Sequence, residues 1–203
     1  MTSVRRAMFE DLIALPDDGH VHELVRGEIR RRPPPKGQHG HVEAAIVEAI
    51  GRYLHGRALS LGWQESAGLA ARDRLVGYLG SGEQGIRFSV PDDPDQVRGV
   101  DVLYLTPGQY ARHAAVLAEE YIPDVPALCV EIVSPSQSAD EMDEKVQDYL
   151  AGGAVLVWLL FPRRHTVTVY TQDRAPHTIR AGGVLTGDRL LPGLTIPPTF
   201  LFG

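Results

Sequence analysis

Two carboxylates and one amine carry the chemistry that this sequence suggests. Asp101 lies in "GVDVLYL", Glu131 in "ALCVEIVSPS" and Lys145 in "DEKVQDYL". Each acid interrupts a short apolar run that reads as a buried strand, where an unsolvated charge costs on the order of several kcal/mol. Taken singly, each residue has an ordinary explanation. Asp101 caps a turn after Gly99, Glu131 pairs with an arginine, and Lys145 pairs with Glu141 four residues earlier on a helix, an arrangement worth a few tenths of a kcal/mol. Taken together, the two acids are hard oxygen donors suited to Mg²⁺ or Mn²⁺, and such a cation would offset the desolvation of both. The choice of lysine adds weight. Of 20 lysines and arginines, only Lys36 and Lys145 are lysines. Arginine serves a surface ion pair equally well, whereas lysine is a compact charge whose pKa shifts on burial.

Positioning these groups takes two neighbouring strands and the helix after the second. Ser138 followed by Glu141 forms a capping box. Met142, Val146, Tyr149 and Leu150 then make an apolar stripe that Lys145 borders, and Gly152-Gly153 ends the helix. Upstream, "HVHELVRGEIRRRPPP" reads as two strands around Arg26-Gly27. In "HVEAAIVEAIGRYLHGRAL", Val42, Ala45, Ile46, Ala49, Ile50, Tyr53 and Leu54 recur at helical spacing. "GWQESAGLAA" reads as a strand. Residues 72–99, rich in Gly, Asp and Pro, read as a surface excursion with one short strand at "IRFSV". A short helix is expected in "TPGQYARHAAVLAEEY", a hairpin in "AVLVWLLFP" and "HTVTVYTQ", and further short strands at the end. This order predicts an α/β (α+β) fold, a mixed sheet flanked by helices, in a single domain over residues 1–203. Within it, 1–36 form a hairpin region and 37–203 the core and C-terminal strands.

The bulk properties narrow the function. The chain has 203 residues, 43% apolar and 23% charged, which suits one sizeable core. No apolar run approaches the roughly 20 residues that span a bilayer, and the N-terminus lacks the pattern of a signal peptide. The lone Cys129 excludes an internal disulfide, so a reducing cytoplasm is the expected setting. A formal charge of −6 argues against broad nonspecific binding to nucleic acid. The basic run "RGEIRRRPPPK" reads as a solvated edge rather than a phosphate track. Two His-x-His pairs, His20 with His22 and His39 with His41, raise a transition-metal alternative. "SPS" at Ser134–Ser136 lacks the Gly-x-Ser-x-Gly elbow of a serine nucleophile and reads as the turn from strand to helix.

The blocks "HELVRGEIRRRPPPKGQHGHVEAAI", "VDVLYL", "VEIVSPS", "DEKVQDYLAGGAVLVWLLFP" and "HTVTVY", in this order, resemble the Uma-type family of putative restriction endonucleases. That family belongs to the PD-(D/E)XK nuclease superfamily, and the likeness runs from about Phe9 to Tyr170. It implies a restriction-endonuclease-like sheet with a metal site at its edge. Asp101 matches the first acid, with Val100 where proline is usual. Glu131 matches the second, with Val133 where many members carry the lysine, so that role passes to Lys145. Glu23 matches a recurrent glutamate, in the metal shell or just outside it, and His39 a histidine before the first long helix. The implied reaction is Mg²⁺- or Mn²⁺-dependent hydrolysis of phosphodiesters in DNA. Asp101, Glu131 and the Ile132 carbonyl would hold the metal, and Lys145 would orient the attacking water. A homodimer is implied by analogy with the superfamily. The alternative is a dimeric nucleic-acid-binding or regulatory module on the same fold, with weak or no turnover.

Overall fold

The computed structural model describes residues 5–34, 37–117 and 121–203. After the short helix α1 (Phe9–Ile13), a hairpin of β1 (Val21–Val25) and β2 (Glu28–Arg32) leads into the long helix α2 (Gly37–Ser60). Then come α3 (Leu69–Val76), the 13-residue strands β3 (Tyr78–Val90) and β4 (Asp93–Leu105), and α4 (Pro107–His113). The unit β5 (Leu128–Ile132), α5 (Ala139–Ala151) and β6 (Leu156–Phe161) follows. The chain ends with β7 (Thr166–Tyr170), β8 (His177–Ile179), β9 (Leu185–Gly187), β10 (Leu191–Ile196) and α6 (Pro198–Phe202).

Eight strands make one sheet in the order β2-β1-β4-β5-β6-β7-β8, with β3 paired along β4, while β9 and β10 form a separate ribbon. Among the described strands only β5 and β6 pair in parallel, joined through α5; the other strand pairs are antiparallel. The sheet is therefore mixed, with helices against it, as the sequence predicts.

The burial pattern explains why. β5 is buried at all five positions, so helices must cover both of its faces. Val130 and Ile132 belong to a core shared with Val42, Ile46, Ile50 and Leu54 of α2. Cys129 packs into a second core with Met142, Val146 and Tyr149 of α5. Alternation along β5 therefore aims Glu131 at the α5 side, where Lys145 lies. The capping box forms as read: Ser138 Oγ accepts from the Glu141 N–H at 3.2 Å and the Glu141 carboxylate accepts from the Ser138 N–H at 2.7 Å. Among the described residues, no helix is long and apolar enough to cross a membrane.

Two sequence readings fail. "GWQESAGLAA" is a 3₁₀ turn (Glu65–Ala67) running into α3, with Gly68 at a left-handed φ of 77° starting the helix. Residues 72–99 are no surface excursion: they supply the end of α3, all of β3 and about half of β4. Glycines that resemble loop punctuation sit inside β3 where neighbours crowd the backbone. A Cβ at Gly85 would lie 2.4 Å from the Tyr121 ring, and one at Gly80 2.1 Å from Gln84 Oε1.

Because Ile46 is fully buried between α2 and the sheet, Ile46→Ala should cost about 2–5 kcal/mol. The check is a lower urea midpoint with an unchanged m-value.

Candidate active site

The site is built where β4 and β5 part. Their registered pairing stops at Val102 with Val130. One step further, the Asp101 carboxylate takes the place of a ladder carbonyl and accepts from the Ile132 N–H at 2.6 Å. Asp101 thus lies beside Glu131 in the middle of the sheet, where β4 and β5 separate. His39 Nε2, from the first turns of α2, lies 3.2 Å from the same Asp101 oxygen.

A bulge in β3 brings a third group. Ser81 registers with Val102 and Gln84 with Val100, so Gly82 and Glu83 together face the single residue Asp101. Both bulge residues are left-handed, Gly82 at φ 91° and Glu83 at φ 55°. For a glutamate this backbone is costly by about 1–3 kcal/mol, and such strain gathers at functional sites. Across the ladder, Gly99 lacks a side chain for good reason: a Cβ there would meet Glu83 Oε2 at 2.8 Å.

His39, Glu83 and Asp101 each offer a ligand atom, all within 4.8 Å of one another. His39 Nδ1 and Glu83 Oε2 are buried without a hydrogen-bond partner. Two carboxylates and an imidazole, with donor atoms left unsatisfied, are chemically suited to a divalent cation. This cluster lines a cleft of about 530 Å³, together with Ile132, Arg32 and the turn from Val133 to Gln137.

Behind the cleft wall lie the other residues singled out from sequence. Glu131, Lys145 and Glu23 are 1%, 3% and 3% exposed. Lys145 Nζ donates to Glu131 at 2.7 Å and lies 3.2 Å from Glu23. Tyr149 donates its hydroxyl to the other Glu131 oxygen at 2.7 Å. The desolvation of Glu131 is therefore offset by a lysine and a phenol of α5, groups of the protein itself. Lys145 does not pair with Glu141, whose carboxylate is held at the cap by Ser138. Glu23 accepts from the Gly99 N–H at 2.9 Å and pairs with Arg32 at 2.6 Å and Arg98 at 3.4 Å. The structure thus joins Glu131, Lys145 and Glu23 in one contiguous network and puts Asp101 next to it, on the cleft side.

Electrostatics divide the acids. Burial opposes the charge of Glu23, but Lys145, Arg32 and Arg98 overcome it and hold its pKa at about 2. Burial pushes Glu131 up to about 7 despite Lys145. Burial and the nearby Asp101 push Glu83 up to about 8. Burial also opposes the charge of Asp101, yet its hydrogen bond with His39 lowers the pKa, and that same bond raises His39 against burial. Lys145, opposed by burial, is raised by Glu131 and Glu23.

The sequence reading missed Glu83. It sits in "GSGEQG", where only the paired glycines hint at a bulge. Histidine pairs do not form. His39 joins the acids while His41 faces solvent, and His20 and His22 lie 3.3 and 3.8 Å from Asp18. The basic run is no solvated edge over most of its length. Arg26 and Arg30 pair with Glu144 or Asp148, and Arg32 with buried Glu23. Its last residues, Pro35 and Lys36, lie outside the described residues. Ser134–Ser136 make a turn, with the Ser134 N–H donating to Gln137 at 2.8 Å.

The model of the family described as "Putative restriction endonuclease" (Uma2) matches residues 9–199. The chain belongs to this family. Its Uma2 fold is similar to a crystal structure of "a putative nuclease belonging to DUF820" from Anabaena variabilis, with a TM-score of 0.75 at 18% identity. That likeness covers 95% of this chain and 96% of the other. Comparison with curated proteins found no match.

Glu83, Glu131 and His39 all have raised pKa values in the fold. The native state therefore binds more protons than the unfolded chain between the ordinary carboxylate range and about pH 8. Stability of the metal-free protein should fall as pH rises through that window, and Glu83→Gln should flatten the fall. Melting temperatures of both proteins between pH 5 and 8.5 test this; a Tm that rises with pH would contradict the charge assignment.

Proposed function

We propose that this protein is a divalent-metal-dependent endonuclease that hydrolyses phosphodiester bonds in DNA. The observation that carries the reading is the placement of Asp101, with His39 and Glu83, in the lining of a cleft next to the buried Glu131–Lys145–Glu23 network. Membership of a family described as restriction endonucleases supports the reaction class.

Asp101 is common to two ligand sets. One contains Glu131 and the Ile132 carbonyl, the other His39 and Glu83. Mg²⁺ or Mn²⁺ bound there would polarise the phosphate and lower the pKa of a bound water. Lys145 supplies a fixed positive charge beneath the reacting phosphate and balances the negative charge that builds up on it. Its bond to Glu131 holds the ammonium against the centre of the sheet, and Glu23 positions it from the hairpin side. Glu131, with a pKa near 7, can take up or release a proton at neutral pH. The functional unit in this proposal is one domain spanning the chain, acting in the cytoplasm as a homodimer so that two sites address two strands.

Nicking of supercoiled plasmid with Mn²⁺ tests the reading. Asp101→Asn should lower the rate about 100-fold or more with the fold intact by circular dichroism. Lys145→Met should do the same at a temperature where circular dichroism shows it folded, since losing the buried cation also lowers its melting temperature. Equal nicking by both variants and the wild type would defeat it. Plasmid binding without nicking by the wild type would favour the binding-module alternative. Isothermal titration with Mn²⁺ separates the ligand sets: Glu83→Gln weakens binding in one, Glu131→Gln in the other, and Asp101→Asn in both.

A further inference from the structure

The cleft that Asp101 lines does not end at that residue. A second groove of about 340 Å³ continues from it and shares Val133, Ser134, Pro135, Gln137, Pro162 and Arg163 as walls. Beyond these shared walls, Phe161, Arg164, Tyr170 and Asp143 also line this groove. Arg163 therefore stands at the junction of the two cavities and Arg164 just beyond it.

These two arginines differ from the others around the cleft. Arg31 and Arg32 are engaged by Asp18 and Glu23. Arg163 and Arg164 are exposed and have no ion-pair partner among the described residues. They are also held on a defined support. The 3₁₀ turn Pro162–Arg164 joins β6 to β7, with Pro162 buried and His165 closing it in a left-handed conformation. The His165 ring stacks on Phe202 at 5.7 Å, and the Arg164 guanidinium lies 5.6 Å from the Phe161 ring centre. In a protein of formal charge −6, attraction for a polyanion has to be local. Two guanidiniums without ion-pair partners on this turn, along a groove that adjoins the His39–Glu83–Asp101 cluster, have the charge and planar donor geometry that phosphate requires.

We infer that Arg163 and Arg164 form a phosphate-binding site that grips the backbone of a nucleic-acid strand lying along the groove, while the reacting phosphate sits at Asp101. The inference deepens the nuclease reading and takes the polymer's identity from it. Contacts of this kind set register and affinity without reading sequence. Aromatic walls at Phe161 and Tyr170 give the same groove a surface for an unpaired base.

The test is fluorescence anisotropy with a fluorescein-labelled DNA oligonucleotide, without divalent metal, across a salt series. The double variant Arg163→Gln/Arg164→Gln is compared with the wild type and with Arg180→Gln/Arg189→Gln. The latter removes two exposed arginines outside both cavities and lowers the net charge equally. The groove variant should bind at least about tenfold more weakly, with a salt slope reduced by about 1–2, and the control should stay within about twofold of wild type. Equal losses in both variants, unchanged affinity in the groove variant, or no wild-type binding would each overturn the site. The nicking assay reads the other question separately, since absent cleavage with this binding pattern intact would remove the nuclease reading and leave the phosphate site standing.

Discussion

The architecture depends on one buried ion pair, Glu131 with Lys145. A carboxylate 1% exposed and an ammonium 3% exposed cannot both be taken from water unless every remaining lone pair and proton is accounted for. Tyr149 takes the second Glu131 oxygen, and Glu23 takes a second bond from the lysine. Glu23 brings another negative charge, which Arg32 and Arg98 answer. Arg98 in turn is bonded to Asp148, and Asp148 to Arg26. Charges alternate from the middle of the sheet to its rim, and each link exists because the previous one would otherwise stand uncompensated.

Asp101 is as buried as that alternating chain, 3% exposed, but it borders the cleft. Its carboxylate is occupied on one oxygen by the Ile132 amide and His39, and the bulge carries Glu83 toward it. A buried layer of fixed charge below and an open cleft with unsatisfied donor atoms above are a division of labour. In the proposed reading the lower layer would set geometry and potential, and the upper one would meet ligand. The strained Glu83 backbone belongs to the upper layer, where a group kept out of its preferred conformation can be compensated by what binds there.

Much of this was legible in the sequence. Asp101 and Glu131 declared themselves by interrupting apolar runs, Lys145 by being one of two lysines, and α5 by its capping box and stripe. What stayed hidden was set by contacts distant in the chain. β3 looked like loop because its glycines answer to the Tyr121 ring and the Gln84 side chain, information no local window contains. Glu83 owes its place to a one-residue mismatch between β3 and β4, and nothing in the composition of "GSGEQG" fixes that register. The basic run was read as solvated because its acidic partners, Glu144 and Asp148, lie more than a hundred residues away on α5. Arginines near in sequence do not reveal whom they face.

The N-terminal hairpin shares one registered ladder pair with β4, Leu24 with Val97, and is tied to it further by Glu23, which reaches the Gly99 N–H and Arg98 at the centre of the molecule. On its other side the match of Arg26 and Arg30 to acids of α5 fastens it, so hairpin and helix behave as lock and key despite their separation along the chain. A chimera that borrowed this hairpin from a relative would have to borrow the facing side of α5 with it. The two segments are expected to be inherited together, and recombination between them to be tolerated poorly.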